Sequence, residues 1–222
     1  TSALRFAINL GNAVLANQDA QGQPGGITVA LAKKIAAGMG RVPEFVTYPS
    51  AGKVVEDAGS GIWDIAFLAI DPKREALLRF TSPYITIQGT LLVRADSGWE
   101  SVQEMDRPGV VINVGKNAAY DLWLTRELHH ATLMRHASSQ AAIEAFLHGE
   151  GEMAAGIRQP LEKAARENMG FRVLADDFTG IHQAICVDKM DQQLYPVISA
   201  LLTQWRQEGV IDSLTEAYLS QQ

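Results

Sequence analysis

Apolar residues along this chain follow two rhythms that alternate. Leu4 to Asn9, "LRFAIN", is short and mostly apolar and predicts a strand. From Ile27 the spacing lengthens: Ile27, Leu31, Ile35 and Met39 form a helical stripe, and Gly40 stands where such a helix would end. "EFVTY" predicts a strand, "AGKVVEDAGSG" a short helix closed by glycines, and Trp63 to Ile70 a strand apolar enough to be buried on both faces. The intervening "GNAVLANQDAQGQPGG" has loop composition. "YITIQGTLLVRA" then breaks the rhythm as a long extended run, after which it restarts. "GVVINV", "ATLMRH", "EMAAGI" and "FRVLAD" predict strands. Between them "AAYDLWLTRELHH", "SQAAIEAFLHGE" and "QPLEKAARENMG" predict helices, with Tyr120, Leu124 and Leu128 on one face of the first and Ile143, Phe146 and Leu147 inward on the second. A second extended run, "HQAICVD", leads to two amphipathic helices marked by Leu194, Ile198, Leu201 and Trp205, then by Ile211, Leu214 and Tyr218.

Strands that alternate with helices imply βαβ units and largely parallel sheets, an α/β fold. Two such blocks separated by two extended crossings predict two lobes. Residues 1–91 with 187–222 form the first and the inserted residues 92–186 the second, with hinges near 89–94 and 183–187. Ligands of open α/β sheets bind outside the carboxyl ends of the strands, so two lobes joined in this way are expected to close on a small molecule.

Composition narrows the function. The 222 residues carry a net charge of −6 with no block of Lys or Arg, which argues against nucleic acid as a partner. No apolar run approaches the roughly 20 residues of a membrane span. The single cysteine, Cys186, excludes an internal disulfide framework and reads as a small core residue. The chain begins at Thr-Ser directly before a strand, as a mature form without its signal peptide would. His129, His130 and His136 lack metal-site spacing, with the adjacent pair expected on different sides of a helix. Neither HExxH, CxxC nor GxSxG occurs, so no metal or cofactor is expected.

One position stands apart. In "WDIAFLAIDPKREALLRFTSPY", Arg74 lies just past the end of the buried strand, where desolvating a guanidinium is costly. It either pairs on the surface with Glu75 or Asp71, or reaches a ligand. The stretch resembles the "G-x-x-D-x-x…T-x-x-R…x-F-[ST]-x-P-Y" signature of the type II periplasmic solute-binding proteins that serve polar amino acid ABC importers, the bacterial extracellular solute-binding protein family 3. "DAQGQPGGITVALAKKIAAGMG", "RPGVVINVGKNAAYDLWL" and "FLHGEGEMAAG" resemble further elements of that family, in order, along essentially the whole chain. The resemblance implies a two-lobed periplasmic binding protein-like II fold, each lobe a mostly parallel sheet flanked by helices, with two hinge strands. It also implies a monomer in the periplasm or outside the cell that binds a small anionic or zwitterionic solute and presents it to a membrane permease. The signature Arg falls on Arg74, and a planar guanidinium can hold a carboxylate through two parallel hydrogen bonds.

The chain departs from that pattern where the ligand would sit. Ala69 replaces a small polar residue, Asp71 replaces the signature Thr, and Asn12 stands where an aromatic often covers the ligand. Asn117, Ala118 and Ala119 replace Gly-Thr-Thr at a helix start, which still offers backbone N–H groups to an anion. Ile157 occupies the position of the acid that holds an amino acid's ammonium, with Arg158 beside it. Arg74 and Arg158 are therefore expected to clamp a dianion, such as a dicarboxylate; the alternative is that Arg158 turns outward to Glu162 one helical turn on. Asn9, Asn12 and Gln183 are further candidates, Trp63 is expected in the core, and Gln88 is either hinge or solvent-facing. Two rival functions remain: an enzyme like cyclohexadienyl dehydratase, for which Glu152 is the only acid worth weighing, and the sensor lobe of a membrane receptor.

Overall fold

The structure, a computed structural model, describes residues 2–219. The chain divides into two units, 1–85 with 182–222, and 86–181. Both crossings fall a few residues earlier than the sequence rhythm suggests. The reason is strand pairing: Gln183 to Cys186 hydrogen-bond in register with Ala69 to Ala66 of the first unit, so the return strand is already part of that sheet.

In the first unit β1 (Ala3–Asn9) is flanked by β4 (Val42–Tyr48) and β5 (Ile65–Ala69), both parallel to it. β12 (Thr179–Asp188) runs antiparallel to β5, and the short β6 (Leu78–Phe80) pairs with β12. The region expected to be plain loop holds a small ribbon, β2 (Asn17–Gln18) against β3 (Pro24–Gly25). α1 (Ile27–Gly38) buries Ile27, Leu31 and Ile35 of the predicted stripe, while Met39 falls just beyond it as the half-buried C-cap, and the chain leaves through Gly40 at φ 64°. α2 (Ala51–Glu56) is capped by the Ser50 side chain. Trp63 lies in the core with Ala7, Tyr48, Ala66, Leu68 and Leu78, and its indole N–H donates to Val54 O at 3.2 Å. α7 (Leu194–Gln207) and α8 (Val210–Leu219) complete the unit, burying Ile198, Trp205 and Ile211.

In the second unit β8 (Val111–Gly115) is parallel to both β9 (Thr132–His136) and β10 (Met153–Ile157). β7 (Ile85–Arg94) is antiparallel to β10 and to β11 (Phe171–Val173). α4 (Ala119–Glu127), α5 (Ser139–Leu147) and α6 (Arg158–Glu167) supply the helices, and Phe146 packs with Leu92, Ile143, Ala154 and Leu161. α4 stops earlier than its sequence suggests. His129 and His130 lie beyond it because the Asp106 carboxylate accepts the backbone N–H groups of His129, His130 and Ala131 at 2.7–3.1 Å, which a continuing helix would need for itself. Among the described residues no helix is long and apolar enough to cross a membrane.

Candidate functional site

In each unit the candidate residues collect at the carboxyl ends of the parallel strands. β1 ends at Asn9, whose Oδ1 accepts the Gly11 N–H at 2.8 Å and shapes the turn. A Cβ at Gly11 would stand 2.6 Å from Pro49 O, so glycine is required there. Asn12 follows; its backbone carbonyl accepts from Leu15 and Ala16, while its side-chain Oδ1 is buried with no hydrogen-bond partner among the described residues.

β5 ends at Ala69, and α3 (Pro72–Glu75) starts two residues later. Asp71 caps this turn, accepting the Lys73 N–H at 2.9 Å, and Pro72 takes the first helical position, where its missing N–H costs nothing. The turn carries the Arg74 side chain back toward the strand end, where Nη1 donates to Ala69 O at 3.1 Å. Arg74 and Asp71 are each only 3 % exposed. Burial pushes the Arg74 guanidinium below its ordinary range, and the negative charge of Asp71 acts in the opposite direction. Gln183, 6 % exposed, lies opposite Ala69 in the antiparallel pair, and its carbonyl accepts the Tyr84 N–H at 2.9 Å. Asn9, Asn12, Ala69, Asp71, Arg74 and Gln183 thus belong to the first unit.

In the second unit β8 leads through Gly115 to Asn117, the one described non-glycine residue with positive φ, 62°. Ala118 is the N-cap of α4 and offers no side-chain acceptor. Asp121 lies in the first turn at 1 % exposure. It accepts the Asn117 N–H at 2.8 Å and pairs with Arg135 Nε at 3.1 Å. The sequence reading missed this acid, whose signal is its place in the opening turn of a helix. On β8, Asn113 gives its amide hydrogens to Glu150 O and Met153 O, so its Oδ1 is the acceptor facing His136 Nε2 at 2.7 Å; the proton of that bond sits on Nε2.

Arg158 bonds mainly to other parts of its own unit rather than to Glu162. Its Nε donates to Gln88 Oε1 at 2.5 Å, Nη1 to Leu174 O at 3.0 Å, and Nη2 to Ala175 O and Asp176 O at 3.1 and 3.0 Å. Glu162 lies 3.8 Å away on the next turn. A guanidinium has five N–H donors, and these bonds use four of them within the second unit. Gln88 is therefore a partner of Arg158. Glu152 precedes β10, at the end of the sheet opposite Arg158, and accepts the Val111 N–H at 2.5 Å.

Two α/β units, each with polar residues gathered where its parallel strands end, define a two-lobed ligand-binding protein of the periplasmic binding protein-like II class. The chain belongs to the bacterial extracellular solute-binding proteins, family 3, whose family model matches residues 4–221. It is similar to the amino-acid-binding protein AabA of Dichelobacter nodosus, 24 % identical over 207 residues that cover 90 % of this chain and 81 % of that protein. Its fold matches the binding component of an ABC transporter from Wolinella succinogenes, complexed with lysine, with a TM-score of 0.84 at 22 % identity, covering 98 % of this chain and 95 % of that one. An ancestral amino acid-binding protein, a precursor of cyclohexadienyl dehydratase, matches with a TM-score of 0.83 at 23 % identity, over 98 % and 95 % of the two chains. The family and these relatives are binding proteins rather than enzymes.

Proposed function

We propose that this protein is the solute-binding component of an ABC importer, working in the periplasm or at the cell exterior as a monomer, and that its solute is a small amino-acid-like carboxylate. The observation that carries the reading is Arg74: a guanidinium 3 % exposed, fixed at the carboxyl end of a parallel strand by a one-turn helix. A cation in that position is stabilised by an anionic ligand, and its planar fork suits a carboxylate. The buried Asn12 Oδ1 supports the reading, since a ligand N–H would satisfy it. The start of α4, with Asn117, Ala118 and Ala119 and no side-chain cap, offers backbone N–H groups that suit an anion within its own unit. The donors of Arg158 are engaged within its own unit, so a clamp of two arginines on a dianion is not part of this reading. The amino-acid-binding relatives point to the same ligand class.

A thermal-shift screen of the common L-amino acids and small organic acids tests this. A binder at 100 times its Kd raises stability by about 2.7 kcal/mol, a plain upward shift in Tm. Calorimetry on Arg74→Ala is expected to show a loss of affinity of about a hundredfold or more, because the carboxylate loses a desolvated charge partner. If every compound leaves Tm unchanged, or Arg74→Ala binds like the wild type, the reading is wrong.

A further inference from the structure

We propose that a groove along α7 is a docking surface for a helical segment of a protein partner, and that Arg79 receives an acidic residue of that segment. The groove lies wholly within the first unit and Arg74 does not line it, so the proposal stands apart from the solute reading. Tyr195, Ser199, Thr203 and Gln207 recur every fourth residue along α7 and form one ridge. With Ala200 beside them they line a concavity of about 490 Å³. At the helical rise, Tyr195 to Gln207 spans about 18 Å, a length that suits a segment of chain better than a compact solute. Ser199 and Ala200 are small, so the ridge of a second helix can approach closely and interlock. The Thr203 hydroxyl donates back to Ser199 O at 2.9 Å, so its hydrogen is already spent.

Arg79 stands at the Tyr195 end. Pairing of β6 with β12 sets it opposite Val187, and its guanidinium lies 3.8 Å from the centre of the Tyr195 ring. That ring is fixed in turn, since the Tyr195 hydroxyl donates to Phe80 O at 3.2 Å. Stacking occupies the face of the guanidinium and leaves its N–H edge open. Among the described residues no hydrogen bond or ion pair engages that edge, whereas Arg5 and Arg135 each hold a carboxylate. The groove has no acidic lining residue, α7 carries no acid, and Glu208 just beyond it accepts from Gln204 Nε2 at 3.3 Å. A stacked, pre-ordered Arg with unspent donors therefore favours a carboxylate arriving from outside. A basic segment would meet a like charge there. The whole chain carries −6, so an acidic partner is drawn by this face and not by the general field. Tyr and Arg are also the residue types that most often anchor protein interfaces.

The test selects binders from a displayed library of helical peptides against the wild-type protein, then measures the enriched peptides by calorimetry. Arg79→Ala removes the cation, and Ala200→Trp fills the groove from an exposed helical position; circular dichroism melts verify that both variants fold. Enriched peptides are expected to carry an Asp or Glu, to weaken by about tenfold or more on Arg79→Ala, and to lose detectable binding on Ala200→Trp. Replacing the peptide's acid by Asn or Gln should cost the wild type a similar factor and cost Arg79→Ala little, which assigns the pair. Arg74→Ala should leave peptide binding within about threefold of wild type, so that this result and the solute result fall separately. A selection that yields no peptide sensitive to Ala200→Trp overturns the proposal, as do enriched peptides without an acid or with equal affinity for Arg79→Ala.

Discussion

Arg158 illustrates how one guanidinium can hold a segment of chain in place. It ties Leu174, Ala175 and Asp176 to Gln88 on β7, and Thr90 of the same strand adds a bond from its hydroxyl to Asp176 O at 2.6 Å. Removing the side chain leaves three carbonyls without their charged donor. Arg158→Ala is expected to cost about 1.5–3 kcal/mol, the range for hydrogen bonds to a charged group. For a chain of this size that lowers Tm by roughly 2–4 °C per kcal/mol, read by a thermal melt. Solute affinity in the same variant should stay within about threefold of wild type; a drop of tenfold, 1.4 kcal/mol, would return Arg158 to the binding site. At Asn117 the issue is the backbone. Its φ of 62° is left-handed, which an L side chain other than Asn or Asp adopts at a cost. Asn117→Gly and Asn117→Ala both delete the amide, so their difference isolates the backbone. The glycine variant should be the more stable by about 1 kcal/mol in urea unfolding.

At the scale of elements, the loop after α4 depends on one carboxylate. Burial alone would push the Asp106 carboxyl up, but the N–H groups of Ala131, His129 and His130 together outweigh it and bring the group down to about 2. A folded-state value below the unfolded one, about 3.9, means that this clamp stabilises fully above pH 4 and is lost as pH falls toward 2. Melts of wild type and Asp106→Asn should therefore differ at neutral pH and converge between about pH 4 and pH 2. A constant difference across that window would mean that the amide replaces the carboxylate in some other way. The same loop shows what the sequence can and cannot reveal. α1, β5 and α5 were legible because each carries its own period and stop. The end of α4 was not, because its terminator lies 23 residues upstream in sequence, at Asp106. Arg74 was legible from its place after a buried strand and from the signature around it. The partners of Arg158 were not, since Gln88 and Leu174 are distant in sequence and reach it through strand pairing. Asp71 was legible only as a departure; its burial, which gives the charge its weight, is a property of the folded unit.

At the scale of the whole molecule, the two units have separate cores. Trp63, Ala66, Leu68 and Leu78 anchor the first, while Leu92, Ile143, Phe146, Ala154 and Leu161 anchor the second. Phe146 is fully buried, meets Phe171 edge-on at 5.5 Å and carries the Arg94 guanidinium 4.8 Å above its ring. Phe146→Ala removes both contacts and leaves a cavity, at a cost of about 3–5 kcal/mol. If stability is stored locally, that loss falls on the second unit, and hydrogen exchange reports it residue by residue. Amides of Leu92 and Ala154 should then lose protection by about a hundredfold or more, while those of Phe6 and Ile65 in the first unit stay close to wild type. Equal loss at all four would show one cooperative unit whose cores cannot be weakened separately.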